Sequence, residues 1–157
     1  MEAKKLIEAL HTVEKLKRTM RHCYTSDGRK ESVAEHCWRV ALMAYWMEDE
    51  FPEVDINKVI KMCLIHDLGE CFTGDIPCFK KTEADEETEE NLLYQWVATL
   101  PEPLNDKMRT LYQEMSELKT LEAKIYKALD NMEGALSHNE SDLKTWGFGG
   151  ILRIKDY

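Results

Sequence analysis

The sequence has no long apolar stretch. No run among its 157 residues approaches the roughly 18 apolar residues of a membrane span, and the opening segment, MEAKKLIEALH, lacks the apolar region of a signal peptide. Hydrophobic residues make up 43% and charged residues 32%, a balance typical of chains that fold around their own core. We therefore expect a soluble, cytoplasmic protein that does not bind membranes.

Basic residues are scarce relative to acidic ones. Lys and Arg total 21 and Asp and Glu total 30, which gives a formal charge of −9 at pH 7. General binding to nucleic acid would require the opposite excess, because the phosphate backbone attracts Lys and Arg. The charge balance therefore argues against a nucleic-acid partner.

The five cysteines contain no CxxC pair. They therefore predict neither a disulfide framework nor a zinc ribbon. Cys63 lies three residues before His66, a spacing that could place both on one helix face. Free cysteine is commonly a small core side chain, so reduced and mostly buried thiols are the simpler interpretation.

Strict alternation of apolar and polar residues is absent, whereas apolar residues recur at helical spacing almost everywhere. The sequence therefore predicts an all-α fold without a sheet, a single compact bundle of about six or more helices over residues 1–157. The motif-bearing core covers about 16–138. The tail, residues 139–157, shows no clear pattern.

Two predicted helices contain candidate site residues. One begins at Ser32, where S-V-A-E forms a capping box with Glu35, and another covers about residues 55–69 and ends with Gly69 at its C′ position. The following segment, ECFTGDIPCFKK, contains Gly74 and Pro77 and is predicted to be a loop. Such loops often carry functional residues.

Asp67 lies within an apolar stripe of the second of these helices. It follows Ile56, Ile60 and Cys63 at i+11, i+7 and i+4, and His66 lies at the edge of the same stripe. An isolated buried carboxylate is costly, so a buried aspartate implies a cationic partner or a metal ion. The simpler alternative is that Asp67 caps a helix or pairs with an arginine.

His36 faces inward from the other helix, because it shares one face with Val40, Met43 and Met47. A lone inward histidine is more often bonded to a carbonyl group in the core. Together with the His66-Asp67 pair, however, it predicts a site for a divalent ion. Mixed nitrogen and oxygen ligands suit Mn, Co, Fe, Ni or Zn, and the sequence does not choose among them.

Three ordered motifs resemble those of the HD-domain phosphohydrolases, and most closely the HD-domain 5′-deoxynucleotidase group. They are ESVAEH at 31–36, HDLGECFTGDIP at 66–77 and KTLEAKIYKALD at 119–130. The resemblance implies that His36, His66, Asp67 and Asp130 bind the metal. Helical projection alone would place Asp130 on the solvent side, beside Ala123, Tyr126 and Gly134 and nearly opposite the main apolar stripe of its helix.

The same resemblance implies a phosphoric monoester hydrolase that acts on nucleoside 5′-monophosphates through a metal-activated water. Glu70 would be the general acid or base, and Asp75 the second catalytic carboxylate. Arg21 matches a phosphate-orienting arginine, and Glu114 matches a position near the substrate. His22 stands where the group carries a tryptophan associated with rejecting the ribose 2′-hydroxyl, so deoxyribose specificity is open.

Two other hypotheses remain from the residues alone. The chain could be a catalytically silent HD module that binds a nucleotide or protein partner as a sensor, or a helical domain without a metal. The presence of both Glu70 and Asp75 favours the enzyme, because a pure binding module does not need two acids beside its metal. A homodimer, as found in the family, is one assembly that the resemblance allows.

Overall fold

The computed structural model describes residues 2–145. The α-helices and strands within them are six α-helices of ten or more residues, one single-turn α-helix and the two strands of one hairpin. In chain order these are α1 (Ala3–Val13), β1 (Met20–Tyr24), β2 (Lys30–Ser32), α2 (Val33–Trp46), α3 (Ile56–Ile65), α4 (Glu70–Thr73), α5 (Glu83–Val97), α6 (Leu104–Glu117) and α7 (Leu121–Glu140). The helical architecture is confirmed. The part of the predicted tail from residue 146 onward lies outside the described residues.

The prediction of no sheet is wrong, because β1 and β2 form a two-stranded antiparallel sheet. Gly28, at φ +85°, lies in the turn between the strands, a conformation that favours glycine. The pairing is irregular between Met20 and Tyr24, and the buried and exposed residues of β1 do not alternate. The strands are too short and too polar to produce the pattern from which a strand is predicted.

The capping box at the start of α2 is confirmed. The backbone N–H of Glu35 donates to the Ser32 hydroxyl at 3.3 Å, and the Ser32 backbone N–H donates to the Glu35 carboxylate at 2.8 Å. These bonds satisfy donors that a helix start leaves unpaired. They also fix the first turn of α2, from which His36 projects into the core with no exposed surface.

α3 ends earlier than predicted, at Ile65, and Gly69 is not its C′ residue. Gly69 has right-handed helical dihedrals and directly precedes α4. A β-carbon at this position would lie 2.6 Å from Cγ of Glu89 in α5, so glycine allows the two segments to approach closely. His66 and Asp67 therefore lie in the turn between α3 and α4.

The long helix α7 packs against both α2 and α3. Thr120 is the N-cap residue of α7, and its side chain accepts a hydrogen bond from the Ala123 N–H at 3.2 Å. Because α7 has neighbours on two sides, it buries apolar residues such as Ile125 and Leu129 and also a second, more polar face. In the described part of the chain, no helix is long and apolar enough to cross a membrane.

Candidate metal and phosphate site

Four polar side chains from three segments converge between α2, α3 and α7. Nε2 of His36 lies 3.1 Å from Nε2 of His66 and 3.2 Å from Oδ1 of Asp130. Nε2 of His66 lies 3.2 Å from Oδ2 of Asp67. The structure thus brings together the four residues that the motif resemblance nominates as metal ligands.

The hydrogen bond of the other ring nitrogen, Nδ1, determines whether Nε2 of each histidine carries a proton. Nδ1 of His66 lies 2.8 Å from the Cys63 carbonyl oxygen, which can only accept, so Nδ1 carries the proton. Nδ1 of His36 likewise hydrogen-bonds to the carboxylate of Glu133. Both Nε2 atoms therefore present lone pairs to each other and to two carboxylates, an arrangement that requires a cation or extra protons.

Asp130 lies on the polar buried face of α7, and helical projection alone gives the wrong side for it. Its side chain is only 17% exposed. Lys127 donates to Oδ2 at 2.8 Å, while Oδ1 faces the two histidines. Asp130 faces inward because α7 packs against both α2 and α3. A single apolar stripe in the sequence indicates only one packed face.

Glu70 and Asp75 border this cluster. Glu70 is buried in the first turn of α4, and its Oε2 has no hydrogen-bond partner among the described residues. Burial, together with the charges of Asp67 and Asp75, raises the pKa of Glu70 to about 9. Burial also raises the pKa of Asp75, which follows Gly74 at φ +77°. Glu70 can therefore hold a proton at neutral pH.

Arg21 and His22 approach the same cluster from β1. NH1 of Arg21 lies 3.7 Å from Oδ2 of Asp67, and its Nε lies 3.3 Å from Oε2 of Glu31. Nδ1 of His22 lies 4.0 Å from Oδ2 of Asp75, and its ring meets Phe79 edge to face. The hairpin that the sequence did not predict is thus the element that positions both residues.

Glu114 is not brought into this cluster. Its Oε1 accepts a hydrogen bond from Thr120 at 2.6 Å and forms an ion pair with Nζ of Lys58 at 2.9 Å. These contacts join α6 to α3 and to the start of α7. Among the described residues, Glu114 makes no hydrogen bond or ion pair with the four converging side chains.

The HD-domain family model matches residues 13–153, most of the chain. This protein belongs to the HD-domain family. It is 32% identical over 142 residues to the human (Homo sapiens) protein 5′-deoxynucleotidase HDDC2, covering 88% of this chain and 69% of the relative. It is also 32% identical to the protein of that name from Dictyostelium discoideum, covering 91% of this chain and 80% of the relative.

A solved structure supports the family assignment. The structure of a predicted metal-dependent phosphohydrolase from Magnetospirillum magnetotacticum MS-1 superposes with a TM-score of 0.78. Its sequence is 29% identical, and the match covers 87% of this chain and 70% of that one. HD-domain phosphohydrolases are metal-dependent enzymes, and this HD-domain protein is accordingly a phosphohydrolase.

The charges of the cluster fit a divalent ion. Burial lowers the pKa of His66. Asp67 and Asp130 raise it by more than burial lowers it, so the pKa lies well above its usual value. Burial raises the pKa of Asp67, whereas the neighbouring imidazoles lower it to about 2. A site that attracts protons this strongly also attracts a cation, which competes with protons for the same lone pairs. Two imidazoles and two carboxylates suit a first-row divalent ion.

Glu133 is the residue of this HD-domain site that the sequence interpretation missed. Its side chain is fully buried, accepts a hydrogen bond from Ser137 at 2.7 Å and contacts Nδ1 of His36. NH1 of Arg39 lies 3.6 Å from Oε1 of Glu133 and balances the charge of this carboxylate. A signal was available, because Glu133 is three residues after Asp130 and so shares its helix face.

Replacing Glu133 by glutamine should weaken metal binding about 10-fold to 100-fold, the usual effect of losing a carboxylate that orients a histidine ligand. The measurement is a competition titration of Mn²⁺ between the protein and a chelator. Glu140→Gln is the matched control, because Glu140 lies at the exposed end of α7 and also pairs with Arg39 of α2. Equal affinities for the two variants would contradict a role for Glu133 in orienting His36.

Proposed function

We propose that this phosphohydrolase removes the 5′-phosphate from deoxyribonucleoside or ribonucleoside monophosphates, with His36, His66, Asp67 and Asp130 as the metal ligands. The observation that carries the proposal is the convergence of two imidazole Nε2 atoms and two carboxylates beside a buried carboxyl and a buried arginine. The relatives named 5′-deoxynucleotidase support the substrate class.

The proposed chemistry is hydrolysis of a phosphate monoester. When bound, the divalent ion would polarise a phosphoryl oxygen and lower the pKa of a water molecule. Arg21 would bind the phosphate through its planar guanidinium group. Glu70 would hold a proton and donate it to the leaving 5′-oxygen, and Asp75 would orient the sugar hydroxyl or the attacking water.

A cavity of about 290 Å³ is lined in part by His66 and could accept the nucleoside. Its lining includes Tyr94, Tyr112 and Tyr126, whose rings could pack against a base. Lys81 also lines it and pairs with Glu89 at 3.0 Å. Glu86, Glu89 and Glu90 line the same cavity, so the three tyrosine rings and not its charges are what favour a nucleobase there.

The test is phosphate release from a panel of deoxyribonucleoside and ribonucleoside 5′-monophosphates. Metal-free protein is reconstituted separately with Mn, Co, Fe, Ni or Zn, which also identifies the preferred ion. We expect release from monophosphates and none without metal. The ratio of kcat/KM for matched deoxyribose and ribose substrates measures the sugar preference at His22. Metal binding without release from any nucleotide would instead indicate a binding module.

Arg21→Lys should raise KM for a nucleoside monophosphate about 10-fold to 100-fold, with a smaller change in kcat. The lysine keeps the charge but loses the bidentate geometry, and hydrogen bonds to charged groups contribute about 1.5–3 kcal/mol. Steady-state kinetics provide the measurement. Arg18→Lys is the control, because Arg18 is three residues earlier and its side chain is 71% exposed. Identical KM values in both variants would remove Arg21 from phosphate binding.

A further inference from the structure

A second group of side chains that could bind a metal comes from β1 and the end of α7 and shares no residue with the four converging donors. Sγ of Cys23 lies 3.7 Å from Nε2 of His138 and 4.0 Å from Nε2 of His22. One donor atom from each of the three residues lies within 4.8 Å of the others. β1 is irregular between Met20 and Tyr24, which lets the consecutive residues 22 and 23 converge on one point.

The two sulfur-to-nitrogen distances are close to those of a tetrahedral centre. Zinc bonds of ~2.3 Å to sulfur and ~2.0–2.1 Å to nitrogen place the two donor atoms about 3.6 Å apart. The observed sulfur-to-nitrogen distances of 3.7 and 4.0 Å are close to this separation. The rings of His22 and His138 have centroids 5.2 Å apart and are inclined at 49°, so they are tilted rather than stacked.

The surrounding charges are compatible with a cation. Oδ2 of Asp75 lies 4.0 Å from Nδ1 of His22, and a carboxylate in this position commonly orients a histidine ligand. Of the charges that act on Cys23, the guanidinium of Arg21 is the strongest, and the carboxylates of Glu31 and Glu133 oppose it. Burial raises the pKa of the Cys23 thiol to about 11, so a metal would have to displace its proton.

We propose that His22, Cys23 and His138 form a second metal site, selective for a borderline to soft ion such as Zn²⁺. A thiolate with two imidazoles is a donor set that favours zinc over the harder manganese ion. The first site has no sulfur among its four donors. Three protein ligands leave a fourth tetrahedral position for water.

Cobalt is the probe, because a thiolate bound to Co²⁺ gives a charge-transfer band in the near ultraviolet. Titrating the metal-free full chain with Co²⁺ should produce this band, with two ions bound per chain in total. Zn²⁺ should then displace the cobalt and abolish the band. Asp130→Asn, which alters the first site only, should lower the stoichiometry but keep the band.

Cys23→Ser should abolish the band and leave one ion bound, whereas Cys78→Ser, at an exposed cysteine, should retain both. Cys37 is the thiol beside the first site, at 3.9 Å from Nδ1 of His66. A band that persists in Cys23→Ser would therefore assign the thiolate elsewhere and overturn the proposal. So would the lack of any band in the unmodified chain.

His138→Gln keeps the proposal testable if Cys23→Ser does not fold. His138 is partly exposed near the end of α7, so its replacement disturbs the core less. The Co²⁺ affinity measured from the charge-transfer band should fall at least 10-fold. An unchanged affinity in a folded His138→Gln variant would exclude the site. None of these measurements depends on nucleotidase activity, so they remain decisive if the proposed function fails.

Discussion

Asp67→Ala is expected to abolish bound metal and phosphate release together. Oδ2 of Asp67 faces both histidines, at 3.2 Å from Nε2 of His66 and 3.7 Å from Nε2 of His36. Without it, Asp130 is the one carboxylate of the four converging side chains that still faces the two Nε2 atoms. Metal content after gel filtration and the rate of phosphate release measure the two losses on the same sample.

The control for this variant is Asp106→Ala, at an exposed aspartate in the first turn of α6. It should retain both metal and turnover. Asp67→Asn, which preserves the side-chain volume, separates loss of charge from loss of packing, and it should also lose metal. If Asp67→Ala retained full metal content and full turnover, the assignment of the metal site would be wrong.

Glu70→Gln is expected to lower kcat by about 10²-fold to 10⁴-fold, the usual contribution of a general acid or base, while metal content stays unchanged. The glutamine side chain fills the same buried volume but cannot donate a proton as an acid. Glu70 is not among the four converging donors, which is why metal binding should survive. Single-turnover kinetics and metal analysis give the two readouts.

The pH dependence identifies the role of Glu70. A general acid must be protonated, so activity should decline as pH rises through the pKa of Glu70. Burial and the neighbouring carboxylates raise the pKa of Glu70 to about 9. The charge of a bound cation lowers this pKa, so the decline in activity should begin below pH 9. Glu70→Gln should lose this alkaline decline, whereas Glu83→Gln, at the exposed start of α5, should keep it. An unchanged profile in Glu70→Gln would exclude it as the acid.

The sequence supported part of the site on physical grounds alone. His36 shares a helix face with apolar residues, and Asp67 continues an apolar stripe, so both had to point inward. The cost of burying charge then implied a cation. Their convergence holds in the structure, although α3 ends at Ile65 and Asp67 follows the helix rather than lying within it.

Asp130 and Glu133 show where a one-dimensional pattern stops being informative. Helical periodicity identifies one apolar stripe, whereas α7 packs against two helices and buries a polar face as well. Only the motif resemblance pointed to Asp130. Glu133 shares a helix face with Asp130, but the sequence interpretation did not select it, because a glutamate on a mixed face is usually exposed.

By itself, the sequence determined the helical class and the inward direction of His36 and Asp67, because local periodicity and the cost of buried charge act within short segments. The tertiary structure decided everything that depends on contacts between distant segments. It paired two short polar strands into the hairpin that carries Arg21 and His22, and it turned the polar face of α7 toward α2 and α3. Such pairings arise from packing across the whole chain, which no local pattern encodes.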